Sequence, residues 1–143
     1  VCGERRGVTV VEDYAHHPTE IASTLEAVRW AEPRRIICLF QPHLYSRTKF
    51  LCDDFARVLA TAGRAIVTDI YPSREMPMPG VHSGIIVDAA RKQGSSSVEL
   101  VKDVEAVPEY LAPSLESGDL VLVLGAGDVN KIVGPLLEAL EKD

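Results

Sequence analysis

At 143 residues, 46% hydrophobic and 25% charged, the chain has the composition of one globular domain burying roughly 70% of its unfolded surface, which excludes a disordered or fibrous segment. A net charge of -6 excludes a broad basic surface, so neither nucleic acid nor an anionic membrane is an expected partner, and no apolar run approaches the roughly 18 residues of a membrane span. Cys2, Cys38 and Cys52 are odd in number and lack framework spacing, so they are read as reduced, buried thiols of a cytosolic protein; there is no signal-peptide pattern, and a chain starting at Val1 is read as a piece of a longer protein.

Val1 to Arg5 and Val8 to Tyr14, separated by Arg6-Gly7, are the predicted strands of a hairpin. A helix over 18–31 follows, with Pro18 at its first position, Glu20 in its first turn, Ile21, Leu25 and Val28 on one stripe, and Pro33 beyond its end. Arg35 to Gln41 is a continuous apolar run, the pattern of a parallel strand covered on both faces. A polar loop over 42–48 leads to a helix reaching about Ala62, with Leu51, Phe55, Val58, Leu59 and Ala62 inward and Gly63 as its stop. Ala65 to Ile70 is the next buried strand; the proline-rich stretch 71–80 forbids regular structure and is a long loop. Ser83 is positioned to cap a helix to about Gln93, with Ile85, Ile86, Ala89 and Ala90 inward and Gly94 closing it. Val98 to Val101 is a short strand, Asp103 to Leu111 a short helix made awkward by Pro108, and Asp119 to Leu124 the last strand. Gly125-Ala126-Gly127-Asp128 then turns into a final helix with an expected kink at Gly134-Pro135 and Val133, Leu136, Leu137 and Leu140 inward.

This alternation predicts an α/β domain: a mostly parallel sheet of about six strands, an antiparallel edge at the N-terminus and helices on both faces. Ligands of such sheets gather beyond the carboxyl ends of the strands, where the sequence places 13–17, 41–48, 69–75 and 125–128. The first of these opens a helix, whose unpartnered N–H groups suit an anion; its positive end is expected to disfavour protonation of His16 and His17, leaving at least one neutral imidazole near neutral pH. The alternative is that the two histidines cap the helix and face water.

Gly125 and Gly127 lack the third glycine of a dinucleotide fingerprint, since Asn130 stands there, and Asn130-Lys131-Ile132 is not the end of a P-loop. The turn therefore reads as close packing of helix on sheet, or as an anion nest. A metal centre from Asp13, His16, His17, His43 and His82 is not expected, because adjacent residues of an extended chain point apart and no histidines stand at i, i+4. Nor does any serine or cysteine sit in a nucleophile elbow. His43, Arg47 and Arg74 are better candidates, arginine offering a planar fork that matches carboxylate or phosphate. Against them stands the reading of the arginines as surface ion pairs.

Asp13-Tyr14-Ala15-His16-His17-Pro18-Thr19-Glu20, Phe40-Gln41-Pro42-His43-Leu44-Tyr45-Ser46-Arg47-Thr48, Asp69-Ile70-Tyr71-Pro72-Ser73-Arg74-Glu75 and Gly125-Ala126-Gly127-Asp128 together resemble the C-terminal domain of the Mur ligases, in particular those that join L-alanine to UDP-N-acetylmuramic acid in peptidoglycan synthesis. The resemblance implies that 1–143 is a single Rossmann-like domain of a three-domain cytoplasmic enzyme, its UDP-sugar site and its P-loop ATPase lying in the other two domains. ATP and magnesium would be held mainly by the central domain, and this fragment alone would be inactive. It implies further that Asp13 reaches the ATP ribose, that Tyr14 lies near the nucleotide, and that His16, His43 and Arg47 meet the incoming alanine and the reacting phosphate. Arg74 matches an arginine that related ligases carry in an Asp-Asn-Pro-Arg amino-acid motif, here Asp-Ile-Tyr-Pro-Ser-Arg. Two alternatives remain at this point: a murein tripeptide recycling ligase, which shares the Asp-x-Ala-His-His-Pro stretch, and a non-catalytic Rossmann-like module binding a nucleotide or anion.

Overall fold

The computed structural model describes residues 2–141. Strands β1 (Gly3–Arg5) and β2 (Val8–Asp13) pair antiparallel across Arg6 and Gly7, both at positive φ, the backbone a two-residue hairpin turn needs. Val1, the expected start of β1, lies outside the described residues. The chain continues through α1 (Pro18–Arg29), β3 (Arg35–Phe40), α2 (Tyr45–Phe50), α3 (Cys52–Leu59), β4 (Arg64–Val67), α4 (Gly84–Lys92), β5 (Val98–Leu100), α5 (Val107–Leu111), β6 (Asp119–Leu124) and α6 (Val133–Glu141).

The sheet order is β1-β2-β6-β3-β4-β5, and every pair except β1 with β2 is parallel. The last strand in the chain thus lies at the centre, and β6, buried along its whole length, is accordingly an unbroken apolar run after Asp119. Helices α1, α3 and α4 cover one face, where Ile21, Leu25, Phe55, Leu59 and Ile86 pack on Cys38, Phe40, Leu122 and Leu124. Helices α5 and α6 cover the other, with Val107, Leu111, Leu136 and Leu140 against Val10, Ile37, Leu39 and Val121. Each such side chain contributes about 1.5–3 kcal/mol by leaving water.

Register then places the site. Asp13, Leu124, Phe40, Val67 and Leu100 are successive partners across five strands, so the loops that follow them leave the sheet along one line. The four expected ligand loops share that carboxyl rim.

Several local expectations are revised. Helix α1 stops at Arg29, and Glu32 at φ 51 turns the chain toward β3. The expected loop 42–48 ends early: Tyr45 to Thr48 are helical, and the helix expected through Leu51 is broken there into α2 and α3. Ser83 precedes α4, yet its hydroxyl donates to the Thr68 carbonyl, while the His82 ring accepts from Gly84 N–H at 3.1 Å and does the capping. Pro108 falls in the first turn of α5, after a 3-10 turn at Val104–Ala106, where its missing N–H leaves no bond unmade. Pro135 likewise stands in the first turn of α6; the expected kink is the junction with a 3-10 turn at Val129–Ile132. The three thiols are free, but Cys2 is exposed, Cys52 half-buried and only Cys38 enclosed, where burial, against the charge of Arg29, pushes its thiol up to about 12. No helix among the described residues is long and apolar enough to cross a membrane.

Candidate functional site

The adjacent histidines separate. His17, with extended backbone (φ -123, ψ 144), accepts the Thr19 N–H on Nδ1 at 3.4 Å, and Glu20 reciprocates by accepting the His17 N–H at 3.1 Å. This capping box occupies N–H groups expected to meet an anion, so the head of α1 is closed by the chain's own side chains. His16 turns the other way, toward the rim. Its Nδ1 lies 2.9 Å from the Tyr14 carbonyl and 3.7 Å from Glu20 Oε1, and since a carbonyl only accepts, Nδ1 carries a proton and Nε2 is the ring nitrogen left free. Its centroid is 6.0 Å from that of His43.

His43 is held by an extension of the sheet. Tyr71 N–H donates to the Pro42 carbonyl at 2.8 Å and Leu44 N–H to the Tyr71 carbonyl at 2.9 Å, so β3–β4 pairing resumes beyond the strand ends as a parallel bridge between His43 and Tyr71. The two rings stack, 5.7 Å apart and 16° from parallel. Leu44 turns the corner into α2 at φ 73, ψ 137, a conformation that suits glycine and costs other residues about 1–3 kcal/mol. One turn along α2, Arg47 Nη1 donates to His43 Nδ1 at 3.1 Å and to the His43 carbonyl at 3.4 Å. Because a guanidinium only donates, His43 Nδ1 is the acceptor and its proton sits on Nε2. Burial, then the charges of Arg47 and His16, hold the His43 imidazole below its ordinary value against the opposing pull of Glu75. The result is a donor at His43, the free Nε2 edge of His16 and a permanent cation between α2 and the rim.

The family described as "Mur ligase, glutamate ligase domain" matches residues 1–127. The chain belongs to this Mur ligase family. It is 50% identical to a UDP-N-acetylmuramate--L-alanine ligase of Streptomyces coelicolor over 98% of its own length and 30% of the relative's. Among solved structures it is similar to the UDP-N-acetylmuramate-alanine ligase of Thermotoga maritima, at 25% identity and TM-score 0.74 over 93% of this chain and 26% of that one. A murein peptide ligase from Psychrobacter arcticus shares the fold at TM-score 0.80 and 22% identity, over 99% of this chain and 29% of that one. The chain thus spans about 30% of the length of the curated relatives it matches.

Next to the histidines, the Mur ligase domain carries a cavity of about 150 Å³ lined by Asp13, Tyr14, Gly125, Gly127 and Asn130. Asp13 is engaged locally, accepting from Ala15 N–H at 3.1 Å and from the Thr24 hydroxyl at 2.9 Å, while Tyr14 is 74% exposed and presents its ring. The glycines serve close packing: a Cβ on Gly127 would lie 2.5 Å from Tyr71 Cγ, and one on Gly125, at φ 153, 2.9 Å from Val129. Buried Gln41 closes the join, donating to Asp128 at 2.7 Å and accepting from Val129 N–H at 3.1 Å. Of the predicted residues, then, His16, His43 and Arg47 form one group, and Asp13 and Tyr14 line the neighbouring cavity. Arg74 lies exposed on the adjoining loop, with no hydrogen bond or ion pair to any described residue. Among the described residues no cluster of three or more His, Cys, Asp or Glu is placed to hold a metal ion. The sequence pattern assigned no task to Tyr71 or Glu75, although both lie inside one of the four motifs.

Proposed function

We propose that the chain is the C-terminal domain of an ATP-dependent ligase that joins L-alanine to the carboxylate of UDP-N-acetylmuramic acid through an acyl phosphate. The likeness to L-alanine ligases along almost the whole chain supports the substrate pair, whereas the likeness to the murein peptide ligase carries the fold alone. The observation that carries the chemistry is the Arg47–His43 contact at 3.1 Å beside the free edge of His16.

In this reading L-alanine enters as an ammonium, and the His16 Nε2 lone pair takes the proton that must leave before the amine attacks. Arg47 and the His43 Nε2–H donate to the carboxylate of alanine or to the oxygens of the acyl phosphate, where charge gathers as the tetrahedral intermediate forms. Arg74, without a partner among the described residues, adds a second cation for the same anions. Tyr14 and Asp13 meet one edge of the nucleotide; 150 Å³ is well below the roughly 300–1,000 Å³ of a complete small-molecule site, which fits a shared one. Magnesium and the rest of ATP fall to the remainder of the enzyme, which as an ATP consumer works in the cytoplasm. Positioning supplies much of such catalysis, so this domain alone is inactive.

The test is ADP release by the full-length enzyme given ATP, magnesium and UDP-N-acetylmuramate. Release that requires L-alanine and yields the amide is expected; release indifferent to alanine, or none at all, overturns the proposal.

A further inference from the structure

Helix α2 carries Arg47 but cannot cap itself: Leu44, the residue ahead of it, has no hydrogen-bonding side chain. The missing acceptor comes from another loop. Glu75, 29 residues on, accepts the Ser46 N–H on Oε1 at 3.1 Å and the Ser46 hydroxyl on Oε2. Ser46 lies between His43 and Arg47, so both bonds fasten the middle of the segment that carries them. The same loop is already tied to His43 by the Tyr71 bridge, and a turn closed by Glu75 N–H to the Pro72 carbonyl at 2.9 Å places Arg74 between the two ties.

We infer that Glu75 is a positioning residue for the amino-acid side of the reaction, clamping the 69–75 loop onto α2 so that His43, Arg47 and Arg74 keep one geometry toward the substrate. The inference rests on the ligase reading and adds to it a residue that touches no substrate. A carboxylate suits the task better than a neutral group: it takes two donors at once, and negative charge is favoured at a helix start. The Ser46 hydroxyl and N–H, then the Tyr45 N–H and the Arg47 charge, hold the Glu75 carboxyl below its ordinary range against burial, so the clamp is ionised at neutral pH. The clamp also sets the field at His43. The groups facing that ring are Arg47 from α2, His16 from the β2–α1 loop, the stacked Tyr71, and Glu75, and of these Glu75 alone favours its protonation.

The experiment compares Glu75→Ala and Glu75→Gln in the full-length enzyme by steady-state kinetics, thermal unfolding and NMR titration of the His43 ring. Displacing a reacting group by about 1 Å costs on the order of 100-fold, so Glu75→Ala is expected to lower kcat/KM for L-alanine by about 10- to 100-fold while KM for ATP moves less than about twofold. Glu75→Gln keeps an acceptor for the Ser46 N–H and a donor for its hydroxyl; it is expected to recover most of that loss, a rescue confined to the alanine parameters that a merely structural role would not give, and to move the His43 titration to lower pH because the Glu75 charge is gone. Alanine kinetics of Glu75→Ala within twofold of the parent, losses in alanine and ATP parameters that simply follow the drop in Tm, or no recovery in Glu75→Gln each overturn the inference. Failure of the ligase reading is separate: the parent enzyme would show no alanine-dependent turnover, while the His43 shift in Glu75→Gln would still place the Glu75 charge beside that ring.

Discussion

At the amino ends of the strands, Arg35 and Arg34 converge on Asp119 at 2.7 and 3.1 Å, Glu116 N–H donates to the same carboxylate at 2.9 Å, and Arg34 also pairs with Glu116. Two strands away Arg64 binds Glu99 at 3.0 Å and the Ser114 hydroxyl at 2.7 Å, with Tyr110 donating to Glu99 at 2.7 Å. At the carboxyl ends, by contrast, Arg47 rests on a neutral ring and a carbonyl, Arg74 has no partner among the described residues, and Leu44 is held in a costly backbone conformation. The same residue type does opposite work. Arginines at one end staple neighbouring strands; at the other, Arg47 and Arg74 leave hydrogen-bonding capacity unspent among the described residues.

The largest expected effect comes from the rim. Arg47→Ala in the full-length enzyme is expected to lower kcat/KM for L-alanine by about 100- to 1,000-fold, the scale of losing one oriented donor to developing charge, while Tm stays close to the parent's. Equal losses in rate and in Tm would erase the distinction between the two ends.

Next in size is the staple. Asp119→Asn removes a buried carboxylate whose arginine partners are partly solvated, so about 2 kcal/mol in urea unfolding is expected, with KM for alanine unchanged. Burial works against the charged form, but the Arg35 hydrogen bond, the Glu116 N–H and the two arginine charges outweigh it and hold the Asp119 carboxyl below its ordinary value. The stability it confers is therefore complete above the usual carboxylate range and lost as pH falls through the depressed folded value. In Asp119→Asn that part of the acid dependence should vanish.

The smallest effect separates neighbours. His17→Ala should cost about 1 kcal/mol through loss of the helix cap and leave alanine kinetics within about twofold. Turnover that collapses in His17→Ala would move the proton-accepting role from His16 to its neighbour.

Strands β3, β4 and β6 were legible because they are buried on both faces, and β6 matches its expected bounds, Asp119 to Leu124. The break at Leu51 was not, since Leu51, Phe55, Val58 and Leu59 keep a helical period straight through it. The early start of α2 was hidden for a different reason: its first turn is polar, and its cap arrives from Glu75, a pairing no local pattern contains. The four motifs mark loops that the strand register brings to one edge. Residue type and spacing alone did not separate His16 from His17, and only the resemblance pointed to His16, because which ring turns to the rim depends on the carbonyl of Tyr14 and the side chain of Glu20. Nor did Ser83 betray that its hydroxyl would serve the Thr68 carbonyl instead of α4.

The bridge between His43 and Tyr71 carries a mechanical consequence. With ladder bonds running past the ends of β3 and β4, the two loops are welded to the frame, and neither can fold over a guest by itself. Whatever brings these side chains up to a substrate must swing the whole slab as a lever, and the amides of Leu44 and Tyr71 should exchange with solvent as slowly as those of the strands they prolong.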